Sequence, residues 1–146
     1  MRHVLLATTG SDDCRRAEEF AVSYCAREAM PLRIIHAVDS SLEHYGQVDT
    51  LATEGDRHRF IGHARHQESH DATERLQRVM AHARALNVDY ELYIEWDAPL
   101  YCIVKQARRD GSELLVIGGK RKRFNPFSLS RSLMRKAPCA VKQIHE

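Results

Sequence analysis

Apolar residues along this chain alternate between short unbroken runs and a period near 3.6, and that alternation leaves few folds open. Residues 3–7 form a short apolar run that stops at Thr8-Thr9-Gly10-Ser11, after which Ala17, Phe20, Ala21, Tyr24 and Ala29 recur at helical spacing. Pro31 is expected to stop that helix, because it has no N–H to donate. Residues 32–38 then read as a second strand ending at Asp39-Ser40-Ser41. Ala72, Leu76, Val79, Met80, Ala83 and Leu86 mark one face of a long helix, followed by a strand over 88–94. Asp97 is placed as an N-cap with Pro99 in the first turn; Leu100, Ile103, Val104 and Ala107 form the buried stripe, and Gly111 ends the helix. A strand over 113–117, a short helix over 128–136 and a strand over 140–144 complete the series. Strands separated by helices require right-handed crossovers, so the expected class is α/β, with a three-layer, doubly wound, five-stranded parallel sheet.

The chain has 146 residues, 43% of them hydrophobic, enough for one core, and no composition shift marks a second domain. A single domain over 1–146 is expected. The segment 40–62 holds no period, is punctuated by Gly46, Gly55 and Gly62, and is long for a connection, so it reads as a mobile or functional insertion. Twenty-two basic and twenty acidic side chains leave a formal charge of +2, which gives no general signature of nucleic-acid binding. With no signal-peptide pattern and no apolar run of about 18 residues, the expected location is cytoplasmic and no membrane partner is expected. Cys14, Cys25, Cys102 and Cys139 lack Cys-x-x-Cys spacing and suit reduced, mostly buried thiols.

Chemistry concentrates after the fourth apolar run, where Leu114-Leu115-Val116-Ile117 meets Gly118-Gly119 and then Lys120-Arg121-Lys122-Arg123. A buried strand emptying into glycines ahead of a helix is where α/β proteins hold phosphates, because backbone N–H groups converge there. Arg131, Arg135 and Lys136 on the next helix add charge near the same sheet end, and Ser128 is placed to cap that helix. Two readings fit: an anion site, or a solvated basic loop that only aids solubility. Phe124 and Phe127 offer a stacking surface or plug the crevice.

His58, His63, His66 and His70 cluster beyond the insertion, with His63, His66 and His70 on one helix face at i, i+3 and i+7. Imidazoles a turn apart can chelate a transition metal, with Glu54, Asp56 or Glu68 as a further ligand; a polar solvated face explains the spacing equally well. His36 inside the second strand reads as a satisfied core side chain. No nucleophile elbow and no Gly-x4-Gly-Lys-Ser/Thr loop is present, so no residue is assigned a catalytic role, and none is given to Tyr45, Asp12, Asp13 or Cys14 near the crevice rim.

The order of these pieces resembles the universal stress proteins. The first strand leads to Gly10-Ser11, the second to Val38-Asp39, Trp96-Asp97-Ala98 opens the third helix, Glu113 to Gly118 forms the fourth strand and glycine, and Ala137-Pro138-Cys139-Ala140-Val141 closes the chain. The resemblance implies an adenine-nucleotide alpha-hydrolase-like sheet in the order 3-2-1-4-5, a stress-response role without catalysis in most members, and a homodimer through the last strand. It also implies where a nucleotide would sit: Thr9, Gly10 and Val38 at the ends of the first two strands, and Gly118, Gly119, Lys120, Arg121 and Ser128 around the loop. ATP-holding members have an acidic residue where this chain has Thr9, and a Gly-x2-Gly-x9-Gly-Ser/Thr loop. Here Arg121 stands at the second glycine, Phe127-Ser128 falls at the final Gly-Ser pair, and the loop is about four residues shorter. The expectation is a module acting by homodimerisation and partner contact, with a degenerate ATP loop and no required cofactor. The alternative is an ATP- or AMP-binding protein, even a slow ATPase, that uses the basic loop for ATP or another anion.

Overall fold

A computed structural model describes residues 2–37, 66–67, 69–96, 99–109, 111–119 and 129–145. The segment 40–62, Val38, Asp97 and residues 120–128 lie outside that set, with them Lys120, Arg121, Phe124, Phe127 and Ser128. The elements are β1 (Val4–Ala7), a 3-10 turn (Asp12–Cys14), α1 (Arg15–Glu28), β2 (Leu32–Ala37), α2 (Gln77–Ala85), β3 (Tyr90–Glu95), α3 (Pro99–Arg109), β4 (Leu114–Gly119), α4 (Leu129–Lys136) and β5 (Ala140–His145). All four strand pairings are parallel, in the order β3-β2-β1-β4-β5, as the resemblance implied.

Strand periodicity sorts the core into two layers. Val4 and Leu6 of β1, Ile34 of β2 and Val116 of β4 pack with Ala17, Ala21, Val22 and Cys25 of α1 and Val79 and Ala83 of α2. Leu5, Ile35, Leu115 and Ile117 point the other way, onto Cys102, Ile103 and Ala107 of α3 and Leu133 of α4. Successive side chains of a strand face opposite sides, so one apolar run feeds both layers.

Several boundaries differ from expectation. Helix α1 ends because Ala29 adopts a left-handed conformation (φ 54°) and returns its N–H to the Cys25 carbonyl, two residues before Pro31. The helix expected over 72–86 is interrupted at Leu76, and Leu86, past the end of α2, is 42% exposed. Val88 is buried but precedes β3, which starts at Tyr90. Most consequential, β4 does not stop at Ile117: it runs through both glycines, with Gly118 opposite Ile144 and Gly119 opposite His145 of β5.

The four cysteines are free thiols, three of them buried. Burial pushes the Cys25 thiol up to about 12 from an ordinary 9.0. At pH 8 its thiolate fraction is then about a thousandfold below that of an unperturbed thiol, and maleimide or iodoacetamide labelling should be slower by at least that factor. The sign for stability follows: a raised folded-state value leaves stability whole below the unfolded value near 9 and erodes it as pH rises toward 12. Labelling of Cys25 at the rate of a free peptide thiol under native conditions would contradict this.

Candidate functional site

The carboxyl ends of β1, β2 and β4 open into a crevice of about 150 Å³. Ala7, Thr8 and Thr9 come from β1 and its turn, Ile35 and Ala37 from β2, Ile117 and Gly118 from β4. Cys14, Pro99, Ile103 and Leu133 close the sides from the helical layers. Brackets of apolar side chains around a polar rim suit a planar organic ring, and 150 Å³ is below the roughly 300 Å³ at which small-molecule pockets begin, so the described walls accommodate a ring-sized group.

The rim is built by a polar network that starts at Thr8. Its N–H extends the ladder to the Ile35 carbonyl (3.1 Å), while its hydroxyl donates to Glu18 Oε2 at 2.7 Å and accepts from the Gly10 N–H at 3.0 Å. Glu18 is 2% exposed, which would be costly for a carboxylate without partners. Arg78 supplies them, donating to Glu18 Oε1 from Nε (3.1 Å) and Nη2 (2.9 Å). The same guanidinium reaches the Ser11 carbonyl (3.1 Å) and Asp12 Oδ1 (3.2 Å). Burial works against the Arg78 charge, but its bonds to Glu18 and then Asp12 outweigh that and hold it protonated above its ordinary range. Arg75, one turn earlier, donates from Nε to the Thr9 carbonyl at 3.1 Å. Two arginines thus fasten the turn after β1 to the helix of the opposite side of that layer.

Glycine is required at two points of this rim. Gly10 has φ 78°, and a Cβ there would lie 2.7 Å from Arg75 Cβ. At Gly118 a Cβ would lie 2.7 Å from Ala17 Cβ and 3.2 Å from Cys14 Cα. The close seating of α1 on β4 is therefore a sufficient reason for Gly118, besides its place in the crevice wall.

Of the residues singled out in the sequence, Thr9 and Gly118 line the crevice, Gly10 follows Thr9 in the turn beside it, and Gly119 continues β4; Val38, Lys120, Arg121 and Ser128 lie outside the described residues. Thr9 is exposed, and its hydroxyl is already engaged with Ser11 Oγ at 2.9 Å. His36 is buried, and its Nδ1 lies 3.2 Å from the Thr8 carbonyl, an acceptor to which an Nδ1–H donates. His63 is outside the described set; His66 and His70 are exposed, and His70 Nε2 stands 3.3 Å from Glu74 Oε1. No group of three or more His, Cys, Asp or Glu among the described residues is placed to hold a metal ion. The Thr8–Glu18–Arg78 network was not anticipated. Its signal was present, because Glu18 falls in the inward stripe Glu18, Ala21, Val22, Cys25 of α1.

The chain matches the universal stress protein family over residues 1–142. It belongs to that family. Solved structures of family members share the fold. A Burkholderia pseudomallei universal stress protein family protein superposes with a TM-score of 0.72 at 19% identity, covering 98% of this chain and 96% of its own. The Archaeoglobus fulgidus universal stress protein in complex with dAMP gives 0.69 at 19% identity, over 99% and 98%. An Arabidopsis thaliana family member with AMP bound gives 0.63 at 19% identity, over 99% and 91%. No curated protein sequence matches the chain. Among the described residues, no helix of this family member is long and apolar enough to cross a membrane.

Proposed function

We propose that this universal stress protein is a non-catalytic stress-response module whose crevice takes the base of an adenine nucleotide, with the sugar at its Thr9 rim, but holds a triphosphate tail poorly. The observation that carries this is Thr9. It occupies the crevice rim at the end of β1 with an uncharged side chain, and its hydroxyl is committed to Ser11. A carboxylate at that point would accept from both ribose hydroxyls; a threonine already bonded to a neighbour accepts weakly. The relatives bound to dAMP and AMP support a monophosphate as the natural size of ligand. Arg121 in place of a loop glycine adds a side chain where phosphate would need close backbone approach. Output is by contact with a protein partner, from a homodimer joined along β5, which is an edge of the sheet among the described residues and invites a second copy.

Calorimetry at physiological ionic strength tests this reading. Two or three lost hydrogen bonds at about 1 to 3 kcal/mol each weaken ATP roughly a hundredfold or more relative to members with an intact loop. The expected result is a Kd for ATP above roughly 100 μM, with AMP bound no more weakly, and residual ATP binding that falls steeply with salt. A low-micromolar, adenine-selective ATP affinity would overturn the proposal and favour an ATP-dependent protein. Sedimentation of the same samples addresses the dimer, and a monomer throughout the tens-of-micromolar range would remove it.

A further inference from the structure

The turn that carries the crevice rim is held from outside its own strand. Thr9 lines the crevice and its hydroxyl bonds to Ser11 Oγ at 2.9 Å, so the backbone of residues 9–11 sets what the rim presents. Glycine takes either hand of φ at similar cost, and the 78° observed at Gly10 is therefore selected by its surroundings. Arg75 supplies them twice. A Cβ on Gly10 would lie 2.7 Å from Arg75 Cβ, 3.0 Å from the Arg75 carbonyl carbon and 3.1 Å from the carbonyl oxygen, so the turn rests on that residue's backbone. The Arg75 side chain then donates from Nε to the Thr9 carbonyl at 3.1 Å. Arg78, one turn on, holds the Ser11 carbonyl at 3.1 Å, but it also carries the bonds to buried Glu18 and so serves the stability of the whole layer. Arg75 is exposed, and a hydrogen bond at an exposed position adds little to stability, which separates its effect on the turn from any effect on the fold.

We infer that Arg75 is a positioning residue for the crevice: acting through the Thr9 carbonyl, it fixes the rim in the conformation that receives the sugar of a nucleotide and thereby sets ligand affinity. The inference rests on the nucleotide reading of the crevice proposed above. A ligand that needs one conformation of a glycine turn binds with an apparent affinity reduced by the fraction of molecules in that conformation. A clamp that keeps this fraction near one removes the ordering cost from the binding step. Loss of the clamp that lowers the fraction to about one-tenth raises Kd about tenfold. Arg75 is not among the described residues that line the crevice, and its Nε is engaged by Thr9, so its influence runs through the turn rather than through a phosphate.

Titration of AMP and, separately, of uncharged adenosine into ¹⁵N-labelled parent, Arg75→Met, Arg75→Lys and Arg84→Met proteins tests the inference. Arg84→Met removes the same charge from α2, where Arg84 donates to the Tyr90 hydroxyl at 2.6 Å. Arg75→Met should weaken AMP and adenosine equally, by about tenfold, with Tm lowered by less than about 4 °C. Arg75→Lys keeps a donor for the Thr9 carbonyl and should return to within about threefold of the parent, and Arg84→Met should stay within about twofold. In the ligand-free protein, Arg75→Met should drop the amide order parameters of Gly10 and Ser11 from about 0.85 toward 0.6 and leave that of Gly111 unchanged. A loss for AMP without one for adenosine would replace positioning by charge attraction and overturn the inference, as would an equal loss in Arg84→Met or unchanged order at Gly10. A parent that binds neither ligand would remove the crevice reading and this inference together, whereas a parent that binds both, with Arg75→Met within about twofold of it, would remove the inference alone.

Discussion

Replacing Arg78 with methionine should lower the stability of this protein by about 3 to 5 kcal/mol, because it strips a buried carboxylate of its charged partner. Glu18, 2% exposed with Arg78 in place, would keep the Thr8 hydroxyl at 2.7 Å and lose both guanidinium bonds. Domains of ordinary size have about 5 to 15 kcal/mol in total, so the loss should appear as a fall of about 10 °C or more in Tm. Glu18→Gln together with Arg78→Met removes the charge as well as its partner and should recover most of the loss. Arg27→Ala, which breaks an exposed pair at 3.6 Å with Glu28, should cost less than about 1 kcal/mol. A melt of Arg78→Met indistinguishable from that of Arg27→Ala would show that Glu18 is not held by this network.

Gly10→Val should destabilise by about 2 to 4 kcal/mol, from two sources that a comparison separates. The first is the left-handed backbone at φ 78°, which a β-branched residue adopts only under strain. The second is space, since the new Cβ would meet Arg75 Cβ at 2.7 Å and the Arg75 carbonyl carbon at 3.0 Å, and backbone cannot rotate away. Gly111 shares the conformation (φ 69°) but has nothing within 4 Å of a built Cβ. Gly111→Ala should therefore cost only the conformational part, about 1 kcal/mol. Equal denaturation midpoints for the two variants would mean that the Gly10 turn does not seat against the helix of Arg75.

The class of fold was legible because burial imposes its period directly: β1 and β4 are short apolar runs because both of their faces are covered, and α1 repeats its alanines where it meets the sheet. Ends of elements were less legible. Gly118 and Gly119 looked like a stop, yet a central strand tolerates glycine when a helix needs the room, here Ala17 of α1, and pairing with β5 carries β4 onward. Leu86 fits the helical stripe by count, but α2 ends before it and its side chain leaves the buried face. An acidic residue in an apolar stripe reads as surface until its partner is known, and the partner of Glu18, Arg78, is sixty residues away. Thr9, Gly10 and Gly118 were legible as rim residues because the ends of parallel strands lie at one sheet edge, whichever side chains occupy them.

The central claim, that the crevice between the ends of β1 and β4 is a weak site for an adenine monophosphate, is tested most directly by titrating AMP into ¹⁵N-labelled protein and following backbone amides. Saturable shifts should concentrate at Thr9, Gly10 and Gly118, which line or frame the crevice, and at Ile103 and Leu133 on its helical walls, with a Kd on the order of 10⁻⁴ M. Millimolar AMP that leaves those three amides unmoved, or moves only residues elsewhere, would contradict it.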